Sequence, residues 1–463
     1  MSSEYWEALR DEGFEVVALF NASYPEVASF SLFDMFHGRG AIAAMDPVQS
    51  DPSWIDDAQY RKYARCVQRV NFYPRSENPE TLWGGAVHAS EIEDLARLHL
   101  ESGLKILESL RIEEVWFNHL PHLGVDNMLA LAAARTGRAC FVLSQNRLAP
   151  KFRCIRLDDA VTMECGLSGA QWTKGAVSPD LFYMKRAQHV DAWDAGALAR
   201  LPELVAKVAG RQWSWIVAAL YQGAQKRGWW WLMRVLDTLD QSNHLWAEYR
   251  YQQRKAFDKC RESRESVVDI DDLGCFVYFP LHLEPEENVH VAGGDYTNQL
   301  DAVSALHGIL PPGWSLVIKE NPKQTFQHRG SAFSRRLQGM RNLRFVHKDM
   351  PTGSLIRASQ LVATITGTAG YEALLAGRPC VFFGSAWYEI LPGATRFDRR
   401  LDLREVARTV VSRCDLDAAM NDYMSRLADG LVSPRFEKVF GGSHDVKVMY
   451  RAAARSMAEM RRN

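Results

Sequence analysis

The residues of this 463-residue chain best suited to chemistry lie between Thr364 and Gly384, TITGTAGYEALLAGRPCVFFG. Gly367 and Gly370 fall where an apolar strand ends and a helix opens. That geometry brings backbone N–H groups and the positive end of the helix dipole to one point, which suits a phosphate. Glu372, two residues into the helix, is in reach of a hydroxyl on a ligand whose phosphate rests on the turn. An ordinary βαβ unit with a glycine-containing turn carries the same pattern, so other segments have to decide.

Three of them end an apolar run in polar side chains. LVIK (316–319) delivers Lys319, Asn321 and Pro322. Lysine is a compact charge suited to phosphate, and proline sets the turn without an N–H of its own. An exposed lysine at a strand exit accounts for the segment equally well. CFVYFP (275–280) delivers His282, Glu284, Pro285 and Glu286, candidates for acid–base work or for sugar hydroxyls, against a solvated loop. VWFNHL (115–120) delivers Asn118, His119, Pro121, His122 and Asp126. A metal would need these side chains to converge, and Pro121 argues against helical spacing of the two histidines, so no metal is expected. A general base or acceptor contact and a cap for the following helix are the other two readings. Asp34, after the first strand, is a candidate cleft residue or a surface aspartate.

These segments need strands that end at one edge. Apolar runs at 14–20, 115–120 and 139–143 alternate with helical periodicity at 91–110 and 127–135, with a polar loop at 144–147. A second series has strands at 275–280, 316–319, 343–346 and 361–365 and helices at 301–310 and 354–358. Helices at 403–413, 416–428 and 443–460 follow, the last with Arg451 and Arg455 outward. Strands separated by helices predict parallel sheets, whose ligands bind beyond the carboxyl ends of the strands. The fold class expected is α/β: two Rossmann-like domains facing a cleft, with a helical insert and C-terminal helices. The divisions are 1–190, 191–265 (insert or linker), 266–430 and 431–463. The insert is rich in tryptophan, including Trp213 and Trp229 to Trp231. These read as helix-packing residues, with an interfacial membrane anchor as the alternative.

Net charge is −1, from 55 basic and 56 acidic residues, which leaves no electrostatic footprint for nucleic acid. The eight cysteines form no C-x-x-C pair, and Cys140, Cys275 and Cys380 sit in apolar runs as small core residues. No apolar run approaches the roughly 20 residues a membrane span needs. The expected setting is the cytoplasm, with peripheral contact at the inner face of the cytoplasmic membrane if the tryptophans serve as an anchor.

Three segments in order, FPLHLEPEENV (279–289), VIKENP (317–322) and TITGTAGYEALLAGRPCVFFGSAWY (364–388), together with the weaker NHLPHLGVD (118–126), resemble the bacterial capsule and surface polysaccharide biosynthesis proteins, which include Kdo transferases of the GT-B fold. The resemblance implies a nucleotide-activated sugar donor, CMP-Kdo-like or other, and a glycan or lipid-linked acceptor. It implies neither cofactor nor bound metal. Thr366, Gly367, Thr368 and Gly370 are similar to the family's phosphate-binding turn, and Glu372 to its ribose-binding carboxylate. Lys319, Asn321 and Pro322 resemble its His-Pro turn, with Asn321 where histidine is usual. His119, His122, Asp126, His282 and Glu286 are the candidates for catalysis. A nucleotide-sugar epimerase of similar build and a non-catalytic polysaccharide assembly or export partner are the alternatives.

Overall fold

A computed structural model of the chain describes residues 3–20, 27–30, 35, 38, 40–48, 51–72, 89–146, 148–157, 257, 270–284, 286–322, 324, 329, 331–348, 350–433, 436–440 and 445–462. Asp34, Pro285 and, but for Phe257, the whole expected insert at 191–265 lie outside them. The described residues form two compact units, one from 3–70, 89–157 and 421–462, the other mainly from 270–420.

Along the first unit run α1 (Ser3–Asp11), β1 (Ala18–Phe20), β2 (Ala28–Phe30), α2 (Asp57–Phe72), α3 (Ala89–Ser109), β3 (Glu114–Phe117), α4 (Val125–Arg135), β4 (Ala139–Gln145) and β5 (Lys151–Arg156). β3 and β4 are parallel, joined through α4, and β5 returns antiparallel to β4. The strand expected at 14–20 is only Ala18–Phe20, because Phe14 turns away to meet the edge of the Trp116 ring. Buried Leu100, Leu104 and Leu107 of α3 pack with Met128, Leu129 and Ala132 of α4 and with Val115 and Val142 beneath them.

The second unit runs β6 (Phe276–Pro280), α5 (Gln299–Gly308), β7 (Ser315–Lys319), α6 (Ser331–Gln338), β8 (Leu343–Val346), α7 (Thr352–Ala358), β9 (Leu361–Thr364), α8 (Thr368–Leu375), β10 (Cys380–Phe382), β11 (Ala394–Arg396), α9 (Leu403–Arg408) and α10 (Arg413–Ser425). Its six strands are all parallel, in the order β11-β10-β9-β6-β7-β8. Every residue of β7 and β9 is buried, as continuous apolar runs require in a sheet covered on both faces. Cys275 is exposed, unlike the expected core thiol, because the buried run starts one residue later, after Gly274 at φ 61°. The helix expected over 403–413 is broken at 409–412, where the β-branched run Thr409-Val410-Val411 separates α9 from α10.

After residue 420 the chain returns to the first unit. β12 (Ala428–Asp429) pairs antiparallel with β5, and α11 (Val446–Arg462) packs on α1, where the rings of Tyr5 and Tyr450 stack at 4.9 Å. Arg451 and Arg455 of α11 are exposed, as its periodicity predicts. The chain is therefore α/β, with two Rossmann-like units.

Candidate functional site

In the second unit the chain starts at the middle of the sheet. It adds β7 and β8 on one side of β6, then crosses to add β9, β10 and β11 on the other. The loops after β6 and β9 thus leave in opposite directions and open a crevice beyond the strand ends, the place where such sheets bind ligands. His282 follows β6 and the Thr366–Gly370 turn follows β9. The imidazole Nε2 of His282 lies 3.0 Å from the Thr364 hydroxyl, which accepts the Gly367 N–H at 3.2 Å. One short chain of hydrogen bonds therefore spans the switch point.

The turn owes its shape to close packing. Gly367 has an ordinary φ of −70°, yet a Cβ there would stand 2.7 Å from Thr364 Oγ1 and 2.9 Å from His282 Cε1. A Cβ on Gly370 would collide with the Tyr388 hydroxyl, which donates to the Gly367 carbonyl at 2.8 Å. The Thr366 hydroxyl donates to the Asn288 carbonyl at 2.7 Å, tying the turn to a short helix over Glu287–His290. Gly370 N–H bonds Gly367 O, while the N–H groups of Thr368 and Ala369 have no intrahelical acceptor, as at every helix start. Two such donors, with the α8 dipole behind them, are suited to accept an anion.

Around the turn stand two braced loops. Gln299 holds the backbone of His282 by a reciprocal pair, accepting its N–H at 2.7 Å and donating to its carbonyl at 3.0 Å. Gln324 does the same for Glu284, at 2.8 and 3.0 Å. Arg329, only 1% exposed, pairs with Glu284, reaches Glu320 at 3.1 Å and donates to the His282 carbonyl at 2.9 Å. It thereby locks the loop after β6 to the loop after β7. Burial, with Arg329 adding to it, lowers the His282 pKa to about 4, so its ring is neutral. Glu286 accepts the N–H groups of Val289 and His290 on its carbonyl and opens the short helix.

Lys319 is buried, and its ammonium donates to Met350 O and Thr352 Oγ1, both at 2.8 Å, holding the start of α7. Asn321 is half-buried, and its N–H donates to Glu320 Oε1 at 3.0 Å; Pro322 is exposed in the same turn. Glu372 is half-buried. Burial raises its pKa to about 7, while the nearby Lys319 charge lowers it. The fold brings 282–286, 319–322 and 366–372 to one sheet edge. Gln299, Gln324, Arg329 and Tyr388 escaped the sequence reading. Gln299, Gln324 and Tyr388 work through backbone groups 17 or more residues away, and Arg329 through carboxylates on two loops, and no periodicity or spacing marks such roles.

In the first unit the loop after β3 folds back on α4. Asp126 accepts the N–H of His122 on Oδ2 at 2.8 Å, and those of Leu123 and Asn127 on Oδ1 at 2.8 and 2.9 Å. Burial raises its pKa, against the lowering effect of these bonds and of nearby His119. Gly124, at φ 92°, lies against Val67, where a Cβ would stand 2.7 Å from Cγ2. The rings of His119 and His122 meet edge to face with centroids 4.5 Å apart. Pro121 keeps this segment out of a helix, as expected, and the two rings still meet, because convergence here needs no helical spacing.

Residues 240–427 match the family model described as capsule polysaccharide biosynthesis protein. Across this segment the chain is similar to the capsule polysaccharide biosynthesis family. All of the loops at the edge of the six-stranded sheet fall inside the matched segment, and His119, His122 and Asp126 fall outside it. Among solved structures the chain is similar to the β-Kdo 2,7 transferase KpsC of Thermosulfurimonas dismutans (16% identity, TM-score 0.23, 35% of this chain and 51% of that one). It is also similar to the UDP-GlcNAc 2-epimerase of Methanocaldococcus jannaschii (11% identity, TM-score 0.24, 77% and 91%). A third is trehalose-6-phosphate synthase (11% identity, TM-score 0.29, 96% and 99%). The chain spans about half the length of the KpsC transferase it matches. No curated protein matches it.

Proposed function

We propose that the protein is a glycosyltransferase. It moves a sugar from a nucleotide-activated donor to a glycan or lipid-linked acceptor in capsule or surface polysaccharide biosynthesis. The second unit binds the donor and the first the acceptor. The observation that carries this reading is the seat at the topological switch point. Thr366, Gly367, Thr368 and Gly370 receive the donor phosphate, and Glu372 takes a ribose hydroxyl. Backbone N–H groups and the α8 dipole stabilise the leaving phosphate without a metal. Lys319 contributes its charge from below, because its ammonium is engaged with α7. Neutral His282 serves as a hydrogen-bonding contact in the same seat, and Asn321 and Pro322 line its rim. Inverting displacement also needs the acceptor hydroxyl deprotonated, a task for His119, His122 and Asp126 in the first unit.

The test is a thermal-shift panel of CMP, UDP, GDP and dTDP on the wild type and on Glu372→Gln. One nucleotide is expected to raise the melting temperature in a concentration-dependent way, by mass action, and to bind the variant at least tenfold more weakly. No shift with any of the four overturns the donor seat. Products formed from the matching donor alone then decide the reaction: isomerised sugar identifies an epimerase, whereas a donor consumed only with added acceptor identifies a transferase.

A further inference from the structure

The loop after β3 carries the one group of three His, Cys, Asp or Glu side chains, among the described residues, with ligand atoms that converge. A ring nitrogen of His119, a ring nitrogen of His122 and a carboxylate oxygen of Asp126 all lie within 4.8 Å of one another. We propose that these three side chains bind a divalent transition-metal ion, with zinc the best match. Two imidazoles and a carboxylate are borderline-to-hard donors that suit this class. Three protein ligands leave a fourth position open, the arrangement of reactive rather than purely structural zinc sites.

Two of the ligands are already oriented. His122 Nδ1 lies 2.6 Å from the Leu120 carbonyl. A carbonyl only accepts, so Nδ1 carries the proton and Nε2 the lone pair. Bonds of this kind to a backbone carbonyl fix the tautomer and ring angle of metal-binding histidines. Asp126 is held by three backbone N–H groups. A carboxylate offers about four acceptor positions, so one is left for an ion. Both residues are buried, whereas His119 is exposed. Ligand atoms about 2.0–2.2 Å from a tetrahedral ion stand roughly 3.5 Å apart. The cluster has to tighten slightly, and rotation of the His119 side chain is enough.

A purely structural cap uses Asp126 and Asn127 and has no need of His119. That separates the two roles. An ion held here would acidify a bound hydroxyl, giving the trio a stronger means of deprotonation than an imidazole alone. The site is independent of the donor seat in the second unit, so each stands or falls separately.

The experiment is titration of untagged, full-length, chelator-stripped protein with Co(II), read by visible d–d absorption and followed by displacement with Zn(II). One cobalt per chain is expected, with micromolar or tighter affinity, weakened at least tenfold in His119→Ala. Circular dichroism and the nucleotide-induced thermal shift should not change in that variant. Absence of stoichiometric cobalt absorption up to millimolar metal overturns the proposal. So does His119→Ala binding cobalt as the wild type does. His122→Gln adds a second ligand test, and His119→Ala, at an exposed position, keeps the proposal falsifiable if that variant fails to fold.

Discussion

At the end of β6 the loop over 282–286 is fixed by a fully buried arginine, two buried or half-buried carboxylates and two reciprocal glutamine pairs. At the end of β3 the loop over 118–124 is fixed by one carboxylate taking backbone N–H groups, with Asn127 bridging Gly124 N–H and Pro121 O. Both loops leave a parallel strand at its carboxyl end. The first is braced by charge pairs that reach across the sheet to the next loop; the second is braced by the start of the helix that follows it. A loop tied to its neighbour holds two strand exits in register, as a seat shared by several loops demands. A loop tied to its own helix holds only itself.

The largest effect that tests this contrast is expected from Arg329→Met. Glu284 and Glu320 would be left without their cation in a buried setting, a loss of about 3–5 kcal/mol by urea denaturation, with nucleotide binding lost too. Adding Glu284→Gln and Glu320→Gln should recover much of the stability. A loss below about 1 kcal/mol would erase the distinction between a charge-braced loop and a helix-capped one.

In the first unit, Asp126→Ala leaves the N–H groups of His122, Leu123 and Asn127 without their shared acceptor and should cost about 1–3 kcal/mol. The nucleotide-induced thermal shift should survive. A larger loss than that of Arg329→Met would reverse the comparison.

A further test is a pH slope. The Glu372 carboxyl is raised from 4.5 to about 7, so the folded chain binds this proton more tightly than the unfolded one. Stability from this group is present at low pH, falls between about 4.5 and 7 and is gone above. Glu372→Gln should remove that slope, so that the variant gains on the wild type from pH 5 to pH 8. Parallel slopes for the two proteins, in melting temperature against pH, would show that Glu372 is solvated.

Much of the second unit was legible because its strands are short, apolar and separated by helices. FVYFP, SLVIK and LVAT announce themselves by composition alone. β5 did not, since KFRCIR mixes charge with apolar residues and its partners are β4 and β12, the latter 272 or more residues further on. The turn at 366–370 was legible through its glycines, but the reason for them was not. They make room for Tyr388 and His282, residues from two other segments. Lys319 was legible as a strand-end cation. Its engagement with Met350 and Thr352 was not, because nothing local distinguishes an exposed lysine from a buried one.

The sequence by itself determined the α/β class, the candidate turn and Glu372 beside it. These follow from local hydrophobic pattern and residue spacing, which the chain carries without folding. Tertiary structure alone decided the strand order that opens a crevice between β6 and β9, and the Arg329 lock between two loops. It also decided the meeting of His119, His122 and Asp126 at the end of β3. Each depends on which distant segments are brought together, and that is set by the packing of whole elements rather than by any stretch of residues.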